Sequence, residues 1–141
     1  MQGQIDRPAM PKNGQIPGSL ELAFLGDTVY DLYVRGRAVA HGGRMKQLHG
    51  ASAKLVCAAA QSRALDRIEP MLTEAEQGVI QRARNAKQKP PRNADPAQYH
   101  RATALEALIG YLYLSGDIAR LDQLMQCALD EHEEGDNTHG I

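Results

Sequence analysis

Apolar residues recur at helical spacing through the middle of the chain, and the sequence contains no alternating apolar and polar runs bounded by hairpin turns. Helix start signals recur as well. Ser19 and Asp95 are residue types that favour N-caps, and Thr73 with Glu76 has the form of a capping box. The pattern therefore predicts an all-α domain over residues 19–130.

Glycine, proline and polar stretches divide this region into predicted elements. These are a helix from Ser19 to about Ala40, a segment from Met45 to Gly50, a long helix capped by Ser52 and ending near Pro70, a helix from Thr73 to about Asn85, a loop from Lys87 to Ala94, a helix opened by Asp95 and Pro96 that runs through Leu114, and a last helix from Ile118 to about Asp130. Residues 1–18 and 131–141 are rich in polar residues and glycine, so we expect both ends to be disordered, the second as an acidic tail.

Composition and charge exclude several classes of protein. The 141 residues suit one globular domain, and their net charge of -1 means that any basic surface must be local. Cys57 and Cys127 lie far apart without a Cys-x-x-Cys motif, which argues against a zinc site or a disulfide framework. The sequence has neither a signal peptide nor an apolar stretch of the roughly 20 residues that a membrane span needs, so we expect a cytoplasmic protein with reduced thiols.

Two helices that are apolar nearly all round each carry one acid beside a glycine. Asp27 follows Gly26, and Gly110 lies on the helix face of Glu106. If the helices cross at their glycines, the acids converge. Two adjacent carboxylates that have no buried basic side chain beside them are best neutralised by a hard divalent cation such as magnesium. The alternative stays open that each acid pairs with an arginine or accepts hydrogen bonds from a helix N-terminus.

The stretch between Glu76 and Asp95 contains no acid but five basic residues, namely Arg82, Arg84, Lys87, Lys89 and Arg92. With Asn85 as a further donor, it predicts contacts to a phosphate backbone, which Arg101 extends toward the acids. Aromatic residues are not clustered, so a duplex is favoured over stacking on a single strand. The alternative is that cations at a helix C-terminus complement the helix dipole and face water.

Two short motifs resemble the signatures of ribonuclease III catalytic domains. They are Phe-Leu-Gly-Asp-Thr-Val at 24–29 and Glu-Ala-Leu-Ile-Gly at 106–110, in the family's order and separation. The chain is similar above all to the short Mini-ribonuclease III branch, over residues 20–129. The further segments that carry this similarity are Tyr-Val-Arg at 33–35, Leu-His at 48–49 and Arg-Asn-Ala-Lys at 84–87.

The resemblance implies a ribonuclease III endonuclease domain at residues 19–130, assembled as a homodimeric helical bundle that cuts double-stranded RNA. The signature acids fall on Asp27 and Glu106, which are implied to be catalytic and to hold Mg2+, with Mn2+ as a substitute. Ala23 and Thr103 stand where the longer enzymes have two further acids, as is typical of the Mini branch. We expect both apolar helices to form the dimer interface, because a lone small domain cannot easily bury them.

Substrate binding then falls to the catalytic dimer, since the residues after Leu129 are too few for the RNA-binding domain of the longer enzymes. The residues that we expect to bind RNA are Arg82, Arg84, Asn85, Lys87, Lys89 and Arg101. The resemblance also implies that the enzyme matures the ends of large-subunit ribosomal RNA precursor, with help from a large-subunit ribosomal protein.

Two other classes of function remain open from the sequence. One is a non-catalytic RNA-binding or ribosome-assembly dimer of the same fold, which the reduced set of acids permits. The other is a helical adaptor that binds protein partners through the apolar first helix. For His49 and Tyr99, near the acids, a structural role is favoured over a functional one.

Overall fold

Residues 7–130 are described in a computed structural model, and this part of the chain is helical without a strand. The prediction of an all-α fold is therefore confirmed. Its elements are α1 (Ser19–His41), α2 (Met45–Val56), α3 (Ala58–Ile68), a 3₁₀ turn (Glu69–Met71), α4 (Glu74–Asn85), α5 (Pro96–Ser115) and α6 (Ile118–Ala128).

Helix α5 lies at the centre of the fold, and α1, α3, α4 and α6 pack around it. Residues 102–105, 107–110 and 112 of this helix are all buried within the single chain. The expectation that the Glu106 helix needs a second subunit to cover its apolar surface is therefore wrong, because four helices of the same chain already surround it.

Helix α1 is covered on one side only. It buries Leu22, Ala23, Gly26, Val29, Tyr30 and Val34. The opposite side leaves large apolar side chains in solvent along the whole helix, and we call it the α1 apolar face: Leu20, Phe24, Leu32 and Val39. Phe24 is 84% exposed, which is unusual for a phenylalanine beside a core. Large apolar side chains exposed on one side of a helix are typical of an interaction site.

The start of α4 has the predicted capping box and adds a buried ion pair to it. Glu76 Oε1 accepts a hydrogen bond from the Thr73 N–H at 2.8 Å, and Thr73 Oγ1 accepts one from the Glu76 N–H at 3.2 Å. The Arg120 guanidinium of α6 donates to both Glu76 oxygens, at 2.9 and 2.8 Å, and holds the pKa of this buried carboxyl below its usual range. The pair ties α4 to α6.

Helix α1 begins at Ser19 as predicted, but its N-cap residue is Gly18 rather than Ser19. The predicted helix start at Ser52 is wrong. Ser52 lies inside α2, and the chain instead turns at Cys57, whose backbone is extended with φ −74° and ψ 156°. No glycine or proline marks this turn in the sequence. It lets the apolar side of α3 pack against α5, whereas α2 buries none of its residues, so tertiary packing sets the break.

The described part of the N-terminal segment, residues 7–18, contains no helix or strand before Ser19. It contacts the end of α5, because the Met10 N–H donates to the Leu114 carbonyl at 3.2 Å and the Arg7 guanidinium lies 5.2 Å from the centre of the Tyr113 ring. The predicted acidic tail, 131–141, lies outside the described residues. Among the helices that are described, none is long and apolar enough to cross a membrane.

Candidate active site

Helices α1 and α5 cross at Gly26 and Gly110, as the sequence predicts. A Cβ atom at Gly26 would overlap the carbonyl oxygen of Glu106, and one at Gly110 would overlap the carbonyl oxygen of Leu22. The overlapping atoms are backbone, so they cannot move aside as the end of a flexible side chain can. Only glycine permits this approach of the two helices at either position.

The crossing brings the carboxyl groups of Asp27 and Glu106 together. Their side chains interact by a hydrogen bond, and both residues line a cavity of about 420 Å³. The predicted convergence of the two acids is therefore observed. The two acids differ in burial: Glu106 is half-buried, while Asp27 is exposed in the single chain because it lies toward the uncovered side of α1.

The electrostatic environment of Glu106 favours its protonated form. Burial raises the pKa of this carboxyl to about 8, and the hydrogen bond and negative charge of Asp27 add to the effect. Gln61 opposes it, because its amide Nε2 donates to Glu106 Oε2 at 3.3 Å. The described interactions of the Glu106 carboxylate are thus with an acid and an amide, rather than with an arginine or a helix N-terminus.

The described lining of this cavity contains no Lys, Arg or His that would neutralise the two acids. The lining residues are Leu20, Ala23, Phe24, Asp27, Val56, Ala58, Gln61, Gln88, Tyr99, Ala102, Thr103 and Glu106. Over residues 7–130 no group of three His, Cys, Asp or Glu side chains is placed to hold a metal ion. Two carboxylates suit magnesium, which prefers oxygen ligands and keeps several waters or substrate phosphates in its shell.

The loop after α4 reaches the edge of this cavity. Gln88 lines the cavity and donates to the Tyr99 hydroxyl at 2.9 Å, which fixes the loop against the start of α5. Lys87 and Lys89 flank Gln88 and are exposed. Two lysines predicted to bind RNA therefore lie on a loop that touches the cavity of the acids, and Tyr99 has at least a structural role there.

The predicted arginines have different surroundings from these lysines. Arg84 and Arg101 both pair with Glu69, at 3.3 and 2.7 Å, and Arg101 also contacts Asp66. Arg82 lies on another side of α4 from Arg84, since two residues turn a helix by about 200°. Asn85 ends α4 and is exposed.

Gln61 is the residue of this site that the sequence prediction missed. It is only 4% exposed and shares the buried side of α3 with Leu65 and Ile68. A single polar residue on an apolar helix side was the available signal. The role of this polar residue could not be predicted, because its partner Glu106 lies 45 positions away in the chain and comes within hydrogen-bond distance only in the folded protein.

Comparisons with known proteins decide the family. The family model described as the ribonuclease III domain matches residues 20–117, which is more than half of the chain. The chain belongs to the ribonuclease III family. The chain is also similar to the X-ray crystal structure of a Fusobacterium nucleatum protein, with a TM-score of 0.77 and 30% sequence identity over 86% of this chain and 99% of the other.

The similar curated proteins are short members of this family. The chain is 46% identical to Mini-ribonuclease 3 of Symbiobacterium thermophilum, over 82% of this chain and 91% of the relative. It is 41% identical to Mini-ribonuclease 3 of Brevibacillus brevis, over 88% and 94%. The predictions of a Mini-ribonuclease III-type chain and of an endoribonuclease are thereby confirmed, and the endoribonuclease is favoured over the non-catalytic dimer and the adaptor.

Proposed function

We propose that this endoribonuclease cleaves double-stranded RNA with magnesium held by Asp27 and Glu106. The observation that carries the proposal is the contact between these two carboxyl groups in a cavity whose described lining has no cationic side chain. Two acids held this close repel one another when ionised, and a divalent cation turns the repulsion into attraction. Manganese also accepts oxygen ligands and is expected to substitute.

Asp27 and Glu106 hold the ion, and Gln61 contacts one of the two Glu106 oxygens. When bound, magnesium supplies positive charge that stabilises the phosphate and lowers the pKa of a water molecule. Lys87 and Lys89 contact the RNA backbone from the loop beside the cavity. Substrate binding therefore places a phosphodiester between the lysines and the acids.

Arg82, Arg84, Asn85 and Arg101 complete the proposed RNA-binding set. Asn85 and Arg82 are exposed and free to approach a backbone. Arg84 and Arg101 share Glu69, so they contact phosphate only by giving up part of that ion pairing. We therefore expect the lysines to contribute more to RNA affinity than these two arginines.

We infer that the enzyme acts as a homodimer through the α1 apolar face. Phe24 and Leu20 belong both to this face and to the lining of the acid cavity. A second copy that covers them would remove water from the exposed side of Asp27, which strengthens the interaction of the acids with a cation. Burial of exposed leucine, valine and phenylalanine supplies the driving force for association.

We further infer that the substrate is the end region of large-subunit ribosomal RNA precursor, processed in the cytoplasm with a large-subunit ribosomal protein as partner. The support is the similarity to the Mini branch, which extends along most of the chain. Incubation of labelled precursor duplex with and without that protein would test the substrate and the partner together.

Replacement of Asp27 by Asn tests the catalytic proposal, because it removes a charge and almost no volume. We expect the variant to lose cleavage of labelled duplex RNA in magnesium by at least about a thousandfold, while it still binds the RNA. Glu74→Gln, which changes an exposed carboxylate in the first turn of α4, is the control and should cleave normally. Full cleavage by the Asp27→Asn variant, or cleavage by the natural protein in EDTA, would contradict the proposal.

A further inference from the structure

Gln61 is a buried amide whose described side-chain partner is a proposed metal ligand. It is 4% exposed, it lines the cavity of the two acids, and its Nε2 lies 3.3 Å from Glu106 Oε2. A buried amide costs free energy unless its donors are used, and the Glu106 oxygen uses one of the donors of Gln61. The contact therefore stabilises a particular placement of both side chains.

The position of Gln61 depends on the turn at Cys57. Helix α3 begins directly after this turn, and the Gln61 N–H donates to the Cys57 carbonyl at 3.0 Å to close its first turn. The Gln61 side chain thus projects from a helix end that is fixed by the backbone. Because α3 also packs along α5 through Leu65 and Ile68, the amide is held on a rigid element opposite Glu106.

We propose that Gln61 is a positioning residue that orients the Glu106 carboxylate toward Asp27 before the metal binds. This inference rests on the proposed function, in which Asp27 and Glu106 hold magnesium. A glutamate side chain loses rotamer freedom when both of its oxygens are fixed in position. Because the hydrogen bond from Gln61 already orders the Glu106 side chain in the metal-free protein, metal binding costs less conformational entropy. One Glu106 oxygen is engaged by the amide, and the carboxyl also interacts with Asp27 on the neighbouring helix.

Gln61→Met tests this role because methionine has similar length and volume but no donor. We expect the dissociation constant for Mn2+, measured by the electron paramagnetic resonance of the free ion with RNA-free protein, to rise by about 10- to 100-fold. The matched control is Gln77→Met on α4, whose amide donates to the Leu72 carbonyl away from the cavity. That control should bind Mn2+ like the natural protein.

Gln61→Asn is a second variant that keeps an amide but shortens its reach by one carbon, and it should weaken Mn2+ binding as well. If methionine at this position prevents folding, as circular dichroism would show, the asparagine variant alone decides. Unchanged Mn2+ affinity in a folded Gln61 variant would overturn the inference.

The two proposals fail in distinguishable ways. Asp27→Asn should lose both Mn2+ binding and cleavage if the proposed function is correct. If it loses both while Gln61→Met binds Mn2+ normally, only the positioning role of Gln61 is wrong. If Asp27→Asn retains both, the metal site itself is wrong, and the inference about Gln61 falls with it.

Discussion

Glu106 is the residue at which the proposed metal binding would compete with protonation. Its pKa of about 8 means that the metal-free protein keeps this carboxyl protonated at neutral pH. In the proposed function a metal ion would have to displace that proton, so metal affinity and proton affinity would compete for the same oxygens. In the metal-free protein the hydrogen bond between the two side chains holds the carboxyl near Asp27.

The stability of the metal-free protein should therefore depend on pH through Glu106. The folded protein binds this proton with a pKa of about 8 and an ordinary glutamate does so near 4.5, so the stabilisation is complete below about 4.5 and is lost as the pH rises through 8. Urea unfolding in EDTA should show a free energy of unfolding that decreases across this range. Glu106→Gln has no carboxyl group to titrate, so its free energy of unfolding should decrease less over the same pH range. An identical pH dependence in the variant and the natural protein would show that Glu106 is not the cause.

At the scale of elements, the α1–α5 crossing and the capped start of α4 could be predicted, because local sequence carries them. The glycine beside each acid and the spacing of Thr73 and Glu76 are visible within a few residues. The turn at Cys57 could not be predicted, since neither glycine nor proline marks it and the packing of α3 on α5 decides it. The same holds for Glu69, which pairs with Arg84 and Arg101 only because the fold brings three segments together.

Gly26→Ala should separate the two crossing helices. The added methyl group meets the backbone of Glu106, so the cost in free energy of unfolding should reach at least about 3 kcal/mol. Gly50→Ala in α2 is the control, because nothing lies within 4 Å of a Cβ at that position. It should stabilise the protein by about 0.5–1 kcal/mol. Equal thermal stability of the two variants would show that the crossing tolerates a side chain.

At the scale of the whole molecule, the two apolar helices differ in how much of their surface the chain covers. The sequence indicated that α1 and α5 are both apolar all round, but it could not show which of them the chain covers by itself. The structure covers α5 and leaves the α1 apolar face exposed. The basic residues predicted to bind RNA also differ at this scale, because Lys87 and Lys89 are exposed on the loop whereas Arg84 and Arg101 pair with Glu69.

Phe24→Ser combined with Leu32→Ser should convert the protein to a monomer, because it removes two large side chains of the α1 apolar face that are 84% and 65% exposed. Sedimentation velocity at micromolar concentration should give the mass of a dimer for the natural protein and of a monomer for the double variant. Met45→Ser, which changes a side chain that is 63% exposed on α2, serves as control and should leave the dimer intact. A natural protein that sediments as a monomer would refute the inferred assembly.

Lys87→Ala with Lys89→Ala should weaken binding to every duplex sequence. Each phosphate contact that is lost should lower the slope of log affinity against log salt by about 1, measured without magnesium to prevent cleavage. Lys12→Ala changes an exposed lysine of the N-terminal segment and should leave the slope unchanged. If the double variant also keeps the natural slope, the loop lysines face water.

The close approach of Gly26 and Gly110 has a practical consequence for the enzyme on heating. In many enzymes the catalytic groups lie on loops that lose order before the scaffold melts. In the proposed function both acids belong to the two helices whose contact closes the interior, so the pair that would hold the metal keeps its geometry until those helices separate. Heat inactivation should coincide with cooperative melting, and substitutions selected for thermostability elsewhere in the chain should extend the working temperature by the same number of degrees.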